Sequence, residues 1–249
     1  PDCDIYTDVD GIYTSDPNKI PTARLLEKIS YEEVLEMARL GAQVLHPRAV
    51  ELARQYNVKL RVRNTFKPEH QGTIIEAGGD MEIFRSISGV AVDEDQCSVA
   101  IVDVPDQPGI AGKVTQALAD QSIATDMIMQ SFYPSVGLNS MTFTVQDADL
   151  EQTIKILAVL KSQLNAKDVV SDPDCAKVSL IGAGLCGQPW IPALFFSTLG
   201  KNSINIKMIS SSEMKISCVV SRAQAQEAAR LIHDAFELKE SSKASANLI

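Results

Sequence analysis

The chain has 249 residues, 45% of them hydrophobic, and a formal net charge of -9, enough length and apolar content for two to three ordinary domains. An acidic balance with no basic stripe excludes a nucleic-acid partner, and no apolar run approaches the about eighteen residues of a membrane span. No signal peptide is visible, and the five cysteines (Cys3, Cys97, Cys175, Cys186, Cys218) form no C-x-x-C, which suits reduced thiols in a cytoplasmic protein. His46, His70 and His233 are too scattered to suggest a zinc site and read as structural or exposed, so no metal ligands are assigned.

In chain order, residues 5–13 (IYTDVDGIY) read as a strand running into an acidic, Gly-containing turn, and Thr14-Ser15-Asp16-Pro17 is a turn signal. Ser30-Tyr31-Glu32-Glu33 has the spacing of a capping box, opening a helix that should end near Gly41. Pro47 suits the first position of a second helix, and His46 is read as structural at its start. Val58, Leu60 and Val62 alternate with Lys59, Arg61 and Arg63, giving a strand with one buried face and one basic, solvated face. Strand, helix, helix, strand is a fragment of an α/β layered fold.

From residue 98 the chain says nearly the same thing twice, since 98–131 returns as 177–211 with Val99, Ile101 and Val102 matching Val178, Leu180 and Ile181. After a small insertion, Pro108, Ile123 and Met127 match Pro189, Ile204 and Met208. Each copy opens with a buried strand (99–104; 178–181) and a Gly/Pro/Asp-rich turn. A helix follows, its core face carried by Ile110, Val114 and Leu118, or by Ile191, Phe195 and Leu199. Two more strands are expected at 123–129 and 141–145, and at 204–209 and 215–220. A last amphipathic helix carries Ile154, Leu157, Leu160 and Leu164, or Ala225, Ala228, Ile232 and Phe236. This order gives a ferredoxin-like open sheet with helices on one face.

The strand, D-x-P-G turn, helix and closing "DMIMQS" or "INIKMISSSE" resemble paired ACT domains. The strings TDVDGIYTSDP and SYEEVLEMARLGAQVLHPRAVELA, followed by a strand and GTII, resemble the C-terminal half of the kinase domain of the aspartate kinase family. The resemblance covers the chain to about Leu238. It implies an α/β and α+β architecture: part of an amino-acid-kinase domain at 1–80, and a linker or strand at 81–96 contributed to the second ACT unit. Two βαββαβ ACT domains at 97–172 and 173–238 and a polar tail at 239–249 complete it. Asp93-Glu94-Asp95-Gln96 reads as the connecting turn. The chain does not show the Lys-Phe-Gly-Gly opening of the family's kinase domain, so a fragment without turnover of its own is expected.

The activity implied is ATP-dependent phosphorylation of the L-aspartate side-chain carboxylate, the first step toward lysine, threonine and methionine, with Mg2+ accompanying ATP. The resemblance places Thr7 and Asp8 near the nucleotide phosphates, Tyr13 near the adenosine, and Gln43 and Val44 at the base. Read without it, Asp8 and Asp10 are turn-formers at a strand end. Where the family often has Arg after Asp-Pro, this chain has Asn18 and then Lys19, which is positioned to supply the charge, and Gln43 stands where Lys is frequent. His46 need not be a base, because an ionised carboxylate requires none. No catalytic residue is assigned within the chain.

For a regulatory amino acid, lysine or threonine, the resemblance points to Asp106, Gln107, Pro108 and Gly109 before a helix, with Gln130 as a polar wall. Asn205, Ile206 and Ser211 of the second copy are candidate wall residues. Alternatively, 106–109 is simply a tight turn. The second loop, 182–187, has no acid and is followed by Pro189-Trp190, so Trp190 fills a pocket or covers a subunit contact. A homodimer or higher oligomer through the ACT units is expected, with coupling to the kinase part through residues 66–84. The alternative function is a non-catalytic, amino-acid-binding regulatory subunit, against which the segment 4–73 argues. A sensor attached to homoserine dehydrogenase lacks a dinucleotide-binding glycine fingerprint.

Overall fold

The computed structural model describes residues 2–41, 44–78, 87–131, 137–185 and 187–239. Gln43, Cys186, residues 81–86 of the linker at 81–96 and nearly all of the tail at 239–249 lie outside the described residues. The chain folds as two units, one of Pro1–Asp93 with Lys177–Ile249 and one of Glu94–Ala176.

The first unit opens with β1 (Asp2–Thr7), β2 (Lys28–Ser30), α1 (Tyr31–Arg39), α2 (Pro47–Gln55), β3 (Lys59–Asn64) and β4 (Thr73–Glu76), the strands in the order β1-β3-β4-β2. β1 runs parallel to β3, so their C-terminal ends, Thr7 and Asn64, lie side by side. β1 stops at Thr7, short of Tyr13, because residues 8–11 bend away into the acidic turn. Both arms of the capping box form at α1: the Ser30 hydroxyl accepts from Glu33 N at 3.2 Å, and Glu33 Oε2 accepts from Ser30 N at 3.1 Å. Pro47 opens α2, and His46 Nδ1 accepts from Arg48 N at 3.2 Å, a capping role. The basic face of β3 is not simply solvated: Lys59 pairs with Glu76 at 3.3 Å and Arg63 with Asp4 at 3.4 Å.

β5 (Gly89–Pro105) is one uninterrupted strand, so 93–96 is strand where a turn was expected. Ladder bonds outweigh the turn propensity of the acids. Asp95 turns its carboxylate to Asp147 N at 2.9 Å, while Gln96 and Cys97 are buried. In the second unit, α3 (Ile110–Ala119), β6 (Ile128–Gln130), β7 (Leu138–Val145), α4 (Leu150–Gln163) and the start of β8 (Asp168–Ile181) follow. β7 pairs antiparallel with both β5 and β6. The core joins Val99, Ile101, Val114, Leu118, Phe143 and Leu157.

From Lys177 the chain is again in the first unit, with α5 (Trp190–Lys201), β9 (Met208–Ser211), β10 (Lys215–Val220) and α6 (Ala225–Ala235). Ile191, Phe195 and Leu199 are fully buried, as their spacing predicts. The strands expected from 123 and from 204 begin later in both copies, for one reason. Ser122 and Ser203 take positive φ of 59° and 58°, and Ile123 N and Ile204 N close the preceding helices on Leu118 O and Leu199 O. Each Ile is thus a core plug at a helix end, and pairing starts only at Ile128 and Met208. Ala91 and Ile181 join the core around α1 and α2, so within this unit the second copy and the kinase-like elements share apolar contacts.

Candidate functional site

In the second unit a cleft of about 490 Å³ opens where β5 meets α3. Its lining includes Asp106, Gln107, Pro108, Gly109 and Gln130, which the sequence singled out, and Asn139 and Met141 of β7, which it did not. Register brings the latter two there, because Asn139 pairs with Val104 across the ladder. The register shifts between Ile101 and Val104, where Asp103 adopts a positive φ of 51°, and this bulge turns the end of β5 toward the loop. Asn139 Nδ2 donates to Asp106 Oδ1 at 2.9 Å, and Asp106 N donates to Gly137 O at 3.0 Å. The carboxylate is thereby oriented while the residue stays exposed. Gly109 at the N-cap of α3 has φ 93° and brings no capping side chain, so the first N–H groups of the helix are left to the cleft side. The site therefore offers one oriented anion, amide groups and a helix N-terminus, beside Ile110 and Met141.

Of the residues that the resemblance assigns to a nucleotide, Thr7 and Asp8 lie at the C-terminal end of β1, beside that of β3, whereas Tyr13, Lys19 and Val44 lie in later segments. Thr7 Oγ1 donates to Asp8 Oδ1 at 3.0 Å, and the Asp8 carboxylate is exposed. Asp10 is occupied: Asn64 Nδ2 and Lys67 Nζ donate to it at 2.6 and 2.9 Å, and the Tyr13 hydroxyl lies at 3.4 Å. The Lys67 hydrogen bond holds the Asp10 carboxyl below its ordinary range, outweighing partial burial. Lys67 was not anticipated; it follows β3 by three residues with no motif to announce it. Asn18 N is held by Asp16 Oδ1 at 2.9 Å, leaving Lys19 exposed on the same turn. Val44 is half-buried against the core, whereas Gln43 lies outside the described residues. Among the described residues no group of three or more His, Cys, Asp or Glu is placed to hold a metal ion.

The second copy treats its loop differently. Leu185 is buried, and Ala183 N donates to Glu33 Oε1 at 3.3 Å. That same oxygen accepts from the Ser88 hydroxyl, while Oε2 serves the cap of α1. Trp190 is 51% exposed at the start of α5, its ring centroid 6.0 Å from Phe236. Asn205 and Ser211 are exposed and Ile206 is half-buried, in the unit that does not hold the cleft. For the expected coupling segment, Phe66 is 81% exposed and 79–84 lies outside the described residues. Described contacts between kinase-like elements and the second copy include Glu33 with Ala183, Lys215 with Glu36 at 3.1 Å, and Thr14 with His233.

The amino acid kinase family model matches residues 2–64, and the ACT domain model matches 89–159 and 178–236. The regulatory subunit of aspartate kinase from Thermus thermophilus is 38% identical, with 61% of this chain covering 99% of that one at a TM-score of 0.58. The chain belongs to the aspartate kinase family. The aspartokinase of Thermus thermophilus is 42% identical over 238 residues, 95% of this chain and 58% of that protein. The chain thus spans little more than half the length of such relatives. Aspartate kinase from Clostridium acetobutylicum superposes over 94% of this chain and 54% of its own, at 26% identity and a TM-score of 0.85. Aspartokinase III of Escherichia coli has been solved with aspartate and ADP and, as a T state, with lysine and aspartate. The latter is 27% identical, covering 94% of this chain and 51% of that one at a TM-score of 0.73. Among the described residues no helix is long and apolar enough to cross a membrane.

Proposed function

We propose that this chain is the nucleotide-side and regulatory part of an aspartate kinase that transfers the γ-phosphoryl group of ATP to the side-chain carboxylate of L-aspartate, and that an end-product amino acid inhibits it through the first ACT copy. The observation that carries the regulatory reading is the cleft built around the Asp106–Asn139 pair at the N-terminus of α3. A free amino acid presents a carboxylate, an ammonium and a side chain. The unfilled N–H groups of α3 suit the first, Asp106 the second, and the wall of Ile110, Met141 and Gln130 the third. Lysine and threonine are the candidate effectors, and a lysine complex of a family member favours lysine as the first to try.

On the kinase side, Thr7 and Asp8 face the phosphates, Tyr13 the adenosine, Lys19 supplies a cation, and Gln43 and Val44 border the base. With Asp10 consumed by Asn64 and Lys67, the exposed Asp8 is the carboxylate that fits a Mg2+-bound triphosphate, the ion taking most of its ligands from phosphate and water. Aspartate and the remaining phosphate contacts belong to parts of the enzyme beyond these residues. β6 pairs with β7 alone among the described strands and exposes Ile128 and Met129, an edge suited to pairing with a second copy in a homodimer.

We further propose a kinase part at 1–80, a linker or strand at 81–96 contributed to the second ACT unit, ACT copies at 97–172 and 173–238, and a tail at 239–249. A dedicated regulatory subunit is the lesser reading, because residues 2–64 build an ordered parallel pair and capped helices with no use in a sensor alone. The test is effector titration of the intact enzyme with Asp106→Ala. A coupling of about 1–3 kcal/mol between effector and kinase sites predicts clear inhibition in the parent and its loss in the variant. Unchanged inhibition would remove the effector from this cleft.

A further inference from the structure

Residues 12–14 and 24–26 form a short antiparallel ladder, with Leu26 N on Ile12 O at 2.8 Å, Thr14 N on Arg24 O at 2.9 Å, and Tyr13 bridged to Leu25. Neighbours in extended chain point to opposite faces. Tyr13 turns toward Asp10, and Thr14 turns the other way into full burial. Its hydroxyl lies 2.9 Å from Arg24 N, 2.9 Å from His233 Nε2 and 3.2 Å from Leu238 O.

A hydroxyl has one proton and two acceptor sites. Arg24 N–H can only donate and the Leu238 carbonyl can only accept, so the remaining lone pair takes its proton from His233 Nε2. The hydroxyl is then fully used and the imidazole is the Nε2–H tautomer. His233 Nδ1 is buried without a hydrogen-bond partner, and burial lowers the pKa of the ring, which is therefore neutral. The Thr14 backbone is held from the same side. Val90 N donates to Thr14 O at 2.7 Å, and a Cβ on Gly89 would come within 2.4 Å of that oxygen. Lys239 bridges to Ala23, next to Arg24. The start of β5, α6 of the second ACT copy and the chain beyond it thus converge on one threonine.

We propose that Thr14 and His233 are positioning residues for the nucleotide: the second ACT copy braces one face of the ladder whose other face carries Tyr13. This rests on the reading of Thr7, Asp8 and Tyr13 as nucleotide contacts. Neither Thr14 nor His233 touches substrate. They fix where Tyr13 stands, and the second copy serves as a scaffold for the kinase site.

The test is calorimetric titration of the intact enzyme with ADP, and separately with lysine and threonine, for the parent, Thr14→Val, His233→Ala, His233→Gln and Asp8→Ala. Loss of a buried hydrogen bond predicts that Thr14→Val and His233→Ala weaken ADP by about five- to tenfold. His233→Gln, whose amide N–H replaces Nε2–H, should restore affinity, and effector binding should not move. Unchanged ADP affinity in Thr14→Val and His233→Ala, with Asp8→Ala weakened, would overturn the positioning role alone. Equal losses for ADP and effector would mean a general loss of fold and would also overturn it. If Asp8→Ala binds ADP like the parent, the nucleotide reading falls and takes this inference with it. Should His233→Ala fail to fold, Thr14→Val against His233→Gln decides the matter.

Discussion

In the first ACT copy the loop between β5 and α3 is exposed and curls around a cleft, with Asp106 held by a neighbour of its own copy. The loop between β8 and α5 of the second copy follows the same kind of strand and precedes the same kind of helix. Yet its backbone is bonded to Glu33 of the kinase-like part and Leu185 is buried beneath it. Duplication supplied two equivalent loops, and packing decided their uses. Both helix starts lack a capping side chain; the loops differ in that Ala183 N of the second is taken by a protein carboxylate, whereas the first lines an open cleft beside its helix start.

The largest effect should come from the core of the bracing copy. Phe195 is fully buried on α5, so Phe195→Ala should cost about 3–5 kcal/mol in denaturant unfolding, with ADP binding lost along with it. If the second copy were an independent sensor, the kinase-like elements would unfold separately and ADP binding would survive. Next in size is Glu33→Gln, which leaves Ser30, Ser88 and Ala183 competing for one fewer acceptor. About 1–3 kcal/mol of stability should be lost while effector affinity at the first copy is unchanged. A shift in effector affinity equal to that of Asp106→Ala would erase the distinction between the loops.

The sequence made the local parts legible. Ser30 and Glu33 at capping-box spacing, Pro47 at a helix start, and Ile191, Phe195 and Leu199 on one face each depend on residues within a turn or two of one another, and each forms. What stayed hidden depends on contacts made across long stretches of chain. The second task of Glu33 reaches 150 residues ahead to Ala183, and Thr14 meets His233 at a separation of 219. No periodicity encodes either. Asn139 entered the cleft because antiparallel register set it opposite Val104, which the sequence of β7 alone does not reveal. The segment 93–96 carries turn propensity in its three acids, but it is strand in β5, where Asp95 accepts from Asp147 N, a partner that the local sequence does not announce.

A pH series gives a smaller and more local contrast. Burial lowers the pKa of His233, with Arg24 adding to the shift and Asp234 opposing it. The unfolded chain, with an ordinary His pKa of about 6.5, then binds the proton more readily than the folded one. Stability at this site is therefore complete above about pH 6.5 and declines as pH falls below that value toward the folded pKa. Subtracting the His233→Gln unfolding curve from that of the parent isolates the effect from the carboxylates. A flat difference between pH 7 and pH 5 would show that the ring is not held neutral.

The smallest change tests whether the departure at Trp190 matters to sensing at all. Half-exposed and tilted at 40° to Phe236, the ring packs on the α5–α6 surface. Trp190→Ala should cost about 0.5–1.5 kcal/mol of stability through the lost aromatic pair. Lysine or threonine titrations of the first copy should be unaltered, because its cleft is complete without that side chain. If Trp190→Ala instead creates a second saturable effector site, the indole rather than the Glu33 contact is what silences the second loop. The two copies would then differ by one blocking side chain, and the scaffold role would be a by-product of the block.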